Sequence, residues 1–145
     1  MTARIRIVRE TPLSPAEAWL RLTDWERHGD VVPLTRVTVT TPPPTAAGTV
    51  FVARTGTARR LGFDDPMEVV HWEPPHLCRL EKRGRVVLGR AEFEVRPLAG
   101  GAGSRVEWRE ELRVRGLPGL ADPLLAAAAR RMFGRAVDGL LRPAG

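Results

Sequence analysis

An α+β fold, built on one antiparallel meander with a long helix at its end, is what the sequence predicts. Three observations carry that reading. From Leu34 onward the chain is a series of strand-like runs, each cut off by turn residues. Before them, the period changes from strict alternation to helical spacing at LSPAEAWLRL. After them comes LLAAAARRMFGRAVDGLL, which carries a broad apolar stripe at helical spacing.

Arg4 to Arg9 alternates charged and branched apolar residues, the pattern of a half-buried strand. Ser14 then caps a helix with Pro15 at its first position and Glu17 three residues on, a capping-box spacing. Ala18, Trp19 and Leu22 share one face of that helix. Asp24 begins a second short helical piece through Trp25, which Gly29 and Pro33 end. The strand runs follow: TRVTVTT stops at Pro42 to Pro44, GTVFVART at Gly56, and DPMEVVHWE at Pro74-Pro75. HLCRLEKR stops at Gly84, VVLGRAEFEVRPL at GGAG, and RVEWREELRVR at Gly116. With the opening strand these make seven, and their short connections favour hairpins. Asp122 caps the last helix with Pro123 at its first position, and the stripe runs from Leu125 through Ala129, Met132 and Phe133 to Leu141. Such a helix must lie on the inner face of the sheet. Gly134 and Gly139 each weaken it by about 1 kcal/mol relative to alanine, or else mark places where it leaves room for a neighbour.

The 145 residues make one domain, 1–145, long enough for a core or a core with a cavity. No apolar run reaches the roughly 18 residues that span a membrane. MTARIRIVRE lacks the apolar stretch of a signal peptide, and the single cysteine, Cys78, excludes an internal disulfide, so a cytoplasmic protein is expected. The net charge of +6 invites a nucleic-acid partner. Against that, the 23 basic residues, all arginine but Lys82, are interleaved with 17 acids, and the chain has no tyrosine for base stacking. Histidine and cysteine match no zinc spacing, the GGAG glycines precede a strand rather than a helix, and both Asp64-Asp65 and Arg59-Arg60 read as turns. Neither metal nor cofactor is expected.

The chemistry concentrates on RVEWREELRVR. As a strand it puts Val106, Trp108, Glu110, Leu112 and Val114 on one face and arginines with glutamates on the other. Glu110 is thus a carboxylate between a tryptophan and a leucine. An ionised carboxylate in apolar surroundings is costly unless paired. It is therefore the acid, base or polar anchor of a cavity, or half of an ion pair with an inward arginine such as Arg54, or a group near a cavity mouth in contact with water. His71 shares parity with Met67 and Val69, yet a core face of Val70 and Trp72 fits equally well, so its face stays open; turned inward it would make an acid/base pair with Glu110. His28 reads as exposed after the second helix. His76 shares a strand face with Cys78, a poor geometry for a nucleophilic pair, and Cys78 reads as core. Phe51, Trp72, Phe93, Trp108, Met132 and Phe133 are expected to line any cavity, with Trp25 near its mouth.

Several stretches carry a resemblance that covers nearly the whole chain. They are Leu13-Ser14-Pro15-Ala16-Glu17-Ala18-Trp19 with Thr23-Asp24-Trp25; Val70-His71-Trp72-Glu73-Pro74-Pro75; and Phe93-Glu94-Val95-Arg96-Pro97-Leu98 leading to Ser104-Arg105-Val106-Glu107-Trp108. Together they resemble the START-related (SRPBCC) superfamily, which includes polyketide cyclase/dehydrase-like and lipid-transport-like proteins. The resemblance implies a helix-grip fold: a seven-stranded curved antiparallel sheet wrapped around the C-terminal helix, with two short helices after the first strand and a largely apolar cavity inside. The function it implies is binding of an apolar or polycyclic, lipid- or polyketide-like small molecule, in a monomer or homodimer. The alternative is a cyclase/dehydratase enzyme in which Glu110, with His71, moves protons. A third reading, a ligand-free interaction or regulatory domain, requires a cavity filled by side chains. The superfamily shares no universal catalytic residues, so none is carried over.

Overall fold

The computed structural model describes residues 3–56, 62–116 and 118–142. Alternation forms the strands β1 (Ala3–Thr11), β2 (Thr35–Val39), β3 (Val50–Thr55), β4 (Phe63–Glu73), β5 (Leu77–Arg83), β6 (Val87–Pro97) and β7 (Ser104–Val114). Helical spacing forms α1 (Pro15–Leu22), a 3-10 turn at Trp25–Arg27, α2 (His28–Val31) and α3 (Asp122–Leu141). The sheet runs β1-β7-β6-β5-β4-β3-β2, antiparallel throughout. It is a meander whose first strand returns to pair with the last. Curved around α3, it is the helix-grip architecture.

The outer face is held in register by charge. Arg109 on β7 bonds Glu92 on β6 and lies 3.0 Å from Glu107, while Arg6 reaches Glu107 at 2.5 Å and Arg79 reaches Glu92 at 2.7 Å. Exposed pairs of this kind contribute roughly 0–1 kcal/mol each and chiefly keep the face wet. The arginine count thus belongs largely to a solvated, self-neutralising lattice.

The helix ends follow the sequence in part. Ser14 accepts the Glu17 backbone N–H at 3.2 Å, and Pro15 opens α1. The Glu17 carboxylate turns along the helix and accepts from Arg21 at 3.0 Å instead of closing the box. Gly29 does not end the second helical piece; it lies inside α2, where a Cβ would stand 3.0 Å from the Thr35 carbonyl oxygen on β2. Close backbone approach, rather than termination, explains it. Asp122 is not the cap of α3. A 3-10 turn at Gly119–Ala121 runs directly into the helix, Ala121 takes the cap position without a side-chain bond, and Asp122 begins the first turn, where its charge faces the positive end of the helix.

The glycines of α3 mark close contacts. A Cβ at Gly139 would stand 2.7 Å from Cγ1 of Val31, and one at Gly134 would meet the guanidinium of Arg9, which bonds Asp138 at 2.7 Å. Val137, Leu140 and Leu141 are buried in the core, whereas Met132 sits at the stripe's edge and is 37% exposed. Asp64-Asp65 is not a turn: both lie inside β4, with Asp65 buried and Asp64 exposed. The turn expected at Arg59-Arg60 lies outside the described residues.

The interior has two unlike ends. At one, Trp19 packs on Trp72 at 5.1 Å and on Phe93 at 5.7 Å, and Trp25 stacks on Phe51 at 4.5 Å between ring centroids. The other end is hollow.

Candidate functional site

The hollow end is a cavity of about 360 Å³ between α3 and the concave side of the sheet. Alanines make it: Ala53 on β3, Ala91 on β6, and Ala129 and Ala136 on α3 all face the space, where larger residues would close it. Of the residues expected to line it, Phe51, Trp108, Glu110, Met132 and Phe133 do. Trp25, Trp72 and Phe93 do not reach it. They form the closed aromatic cluster instead, because the 3-10 turn seats Trp25 flat against Phe51 and 6.1 Å from Phe93.

Glu110 is 3% exposed and faces the cavity, and its partner is a residue the sequence reading passed over. Along β5, Lys82 shares parity with the buried Cys78 and Leu80, so its side chain points inward. It stands opposite Gly89 on β6, while Ala91 on β6 stands opposite Glu110 on β7. With so little side chain on β6, the ammonium crosses that strand and comes within 3.6 Å of Glu110 Oε1. Asp65, inward on β4 with the parity of Val69, accepts from Lys82 Nζ at 2.8 Å through Oδ2. Met67 Sδ lies 3.6 Å from the same nitrogen, and Trp108 donates from Nε1 to Glu110 Oε2 at 3.2 Å. Asp65 Oδ1 has no partner among the described residues.

Arg54 is not the partner of Glu110; its guanidinium lies outside, 3.2 Å from Asp64. The signal that could have found Lys82 was there. Lys82 is the only lysine in the chain and shares its strand face with Cys78, read as core, whereas the sequence leaves the face of Asp65 as open as that of His71.

The electrostatics follow from burial. Desolvation pushes the Glu110 carboxyl above the usual carboxylate range, only partly offset by the Lys82 charge and the Trp108 N–H. Desolvation works against the Lys82 ammonium too, but Glu110 and Asp65 more than compensate and hold its proton more firmly than in water. One cation and two acids therefore share a low-dielectric wall.

His71 plays no part here. The register of β4 against β5 shifts between Val69 and His71, so the parity that buries Val69 passes to Trp72, and His71 turns outward to Glu73 at 3.2 Å. The acid/base pair of His71 with Glu110 is not formed. His28, read as exposed, is half-buried on the cavity wall, its ring 6.0 Å from that of Trp108. Its Nε2 lies 2.7 Å from the Leu22 carbonyl oxygen, which only accepts, so Nε2 carries the proton. Burial lowers its pKa and favours the neutral ring, leaving Nδ1 with a lone pair. Cys78 is buried and its thiol is pushed up to about 12, while His76 sits exposed in the turn before β5, so no nucleophilic pair exists. Among the described residues no group of three metal-ligating side chains is present, and no helix is long and apolar enough to cross a membrane.

A curved sheet closed on a C-terminal helix around an apolar cavity defines a START-type helix-grip protein. The sequence narrows this further. The family described as polyketide cyclase / dehydrase and lipid transport matches residues 2–143, and the chain belongs to it. Among solved structures, it is similar to the protein TTHA0849 from Thermus thermophilus, with a TM-score of 0.76 at 17% identity over 94% of this chain and 93% of that one. It is also similar to a START superfamily protein from Mycobacterium smegmatis, with a TM-score of 0.75 at 12% identity over 95% and 96%. The di-domain ARO/CYC protein BexL from the BE-7585A biosynthetic pathway matches with a TM-score of 0.72 at 12% identity, over 98% of this chain but 51% of that one. At these identities the likeness is one of fold. A search of curated proteins with the sequence finds no match.

Proposed function

We propose that the protein binds an apolar small molecule, lipid- or polyketide-like, between the sheet and α3, with its polar group held at Asp65, Lys82 and Glu110. One observation carries this: an apolar cavity of about 360 Å³ whose wall holds a single buried charged cluster. Concave, mostly apolar sites with a few convergent polar groups are the usual form of small-molecule pockets. The family description, which names lipid transport beside cyclase and dehydrase, supports the same reading.

The test is to fill the cavity. Ala129 is buried on α3 and faces the space, so Ala129→Trp places an indole where the ligand would lie. N-phenyl-1-naphthylamine is expected to brighten and saturate with the native protein, and to bind at least about tenfold more weakly to the variant, with the circular dichroism spectrum unchanged. Equal binding to both would place the dye on the surface and sink the reading.

A second reading, cyclase or dehydratase chemistry in the same cavity, is favoured by one feature. Glu110, which holds its proton more firmly than a free glutamate, and His28, a neutral imidazole with a lone pair, both neighbour Trp108 on the wall. An acid and a base on one apolar surface can move protons on a bound chain. Assayed on a polyketide-type substrate, Glu110→Gln is then expected to lose turnover while still binding the dye. Unchanged turnover in the variant would remove Glu110 from the chemistry.

A further inference from the structure

Asp65 Oδ1 is the starting point: a carboxylate oxygen without a partner, on a residue only 9% exposed, in the wall of an apolar cavity. A buried acceptor left unmade costs about 1–3 kcal/mol, more when it belongs to a charged group. Among the described residues, the side-chain donors around it are all committed. Lys82 donates to Asp65 Oδ2 and Met67 Sδ, and its remaining proton faces Glu110 Oε1 across a 3.6 Å ion pair. Trp108 spends its N–H on Glu110, and His28 spends its own on the Leu22 carbonyl. The Thr35 hydroxyl, 3.0 Å from the Pro33 carbonyl, donates there, which obliges the Thr55 hydroxyl, 3.1 Å away, to donate to Thr35. Glu110 accepts at Oε2 and faces the ammonium at Oε1, so neither of its oxygens is without a partner. Among the described residues the free valences of the wall are thus acceptors, foremost Asp65 Oδ1 and the Nδ1 lone pair of His28.

From this inventory we infer that the ligand is a hydrogen-bond donor at its polar end, a hydroxyl or amine on an apolar ring-bearing body, received by Asp65 Oδ1. The inference rests on the small-molecule reading above and adds the chemical class. A ligand with only acceptors finds no free side-chain donor among the described residues of this wall. A carboxylate or sulfonate fares worse, meeting two acids whose one lysine is already engaged.

Calorimetric titration of the full chain with three naphthalenes separates the cases: 2-naphthol, which donates; 2-acetylnaphthalene, which only accepts; and 2-naphthoate, an anion. At pH 8, 2-naphthol is expected to bind about tenfold or more tightly than 2-acetylnaphthalene, with 2-naphthoate weakest. In Asp65→Asn the amide carbonyl must take the Lys82 ammonium, which turns the NH2 group to the place of Oδ1 and converts the spare acceptor into a donor. The order of 2-naphthol and 2-acetylnaphthalene should then reverse. If the native protein binds all three alike, or prefers the anion, the donor assignment falls while the binding reading stands. A folded Asp65→Asn that keeps the native order also overturns it, because Asp65 is then not the receiver. Should that variant fail to fold, the native ranking decides alone. If none of the three binds, the binding reading fails and carries this inference with it.

Discussion

Lys82→Met is expected to cost about 3–5 kcal/mol of unfolding free energy at pH 7. Methionine keeps most of the stem that packs against the sheet, so the loss isolates the charge. Without the ammonium, Asp65 and Glu110 face each other across a wall that water barely reaches; Glu110 is 3% exposed and Asp65 9%. Removing one partner of a buried pair leaves the full desolvation cost of the others unopposed. Against a total stability of about 5–15 kcal/mol for a domain, that is a large fraction.

The pH dependence of the same variant has a definite sign. Glu110 already holds its proton more firmly when folded than its ordinary value of 4.5, and losing Lys82 strengthens that hold. Between 4.5 and the raised folded value, the native state keeps a proton that the unfolded chain has released, so stability falls as pH rises through that window. The deficit of Lys82→Met relative to the native protein should therefore shrink from pH 7 to pH 5. In the native protein Lys82 acts at the other end of the scale: its contribution is complete below its ordinary 10.5 and is lost as pH rises through the raised folded value. Urea unfolding of both proteins at pH 5 and pH 7 measures the effect. A loss below about 1 kcal/mol, unchanged between the two pH values, would mean the cluster is solvated and loosely held.

Gly89→Ala is expected to do more damage, above about 4 kcal/mol, beyond the range of ordinary substitutions. Gly89 has φ +130, and a Cβ there would lie 1.9 Å from the carbonyl oxygen of Glu111. That neighbour is backbone and has no rotamer to retreat into. Only glycine permits this approach of β6 to β7, the strand pair that carries Ala91 and Glu110. Forcing the strands apart there removes both the sheet's continuity and the low saddle over which Lys82 reaches Glu110. Gly48→Ala is the control: φ is +96, but nothing lies within 4 Å of its Cβ, so it should cost only about 1–2 kcal/mol. Thermal melts of the two variants compare them directly. Similar midpoints would show that strain at the dihedral, rather than contact with β7, limits position 89.

Much of this architecture could be read from the sequence because local rules and the fold agree. Alternation on β7 put Trp108 and Glu110 inward, and the Ser14-Pro15 start placed α1 where it begins. What escaped was decided by tertiary events. The shift between Val69 and His71 depends on how β4 meets β5, and nothing in VVHWE announces it. Lys82 escapes because charged residues belong on the surface by default, although it shares the strand face of Cys78, and Asp65 reads as part of a turn where it in fact lies inside β4. Trp25 and Phe51 are equally apolar and aromatic, yet Phe51 lines the cavity while Trp25 closes the packed end; only the seating of the 3-10 turn separates them. The cavity itself is a pattern of alanines on three elements, and no single run displays it.

The division of the interior into a packed aromatic end and an alanine-lined hollow end separates what the protein can inherit from what it can change. Trp19 on α1 packs on both Trp72 of β4 and Phe93 of β6, so a change at Trp19 must be matched at both partners. Ala53, Ala129 and Ala136 border empty space rather than one another. A lineage can therefore reshape the cavity one residue at a time at the hollow end while the aromatic end goes on specifying the same fold.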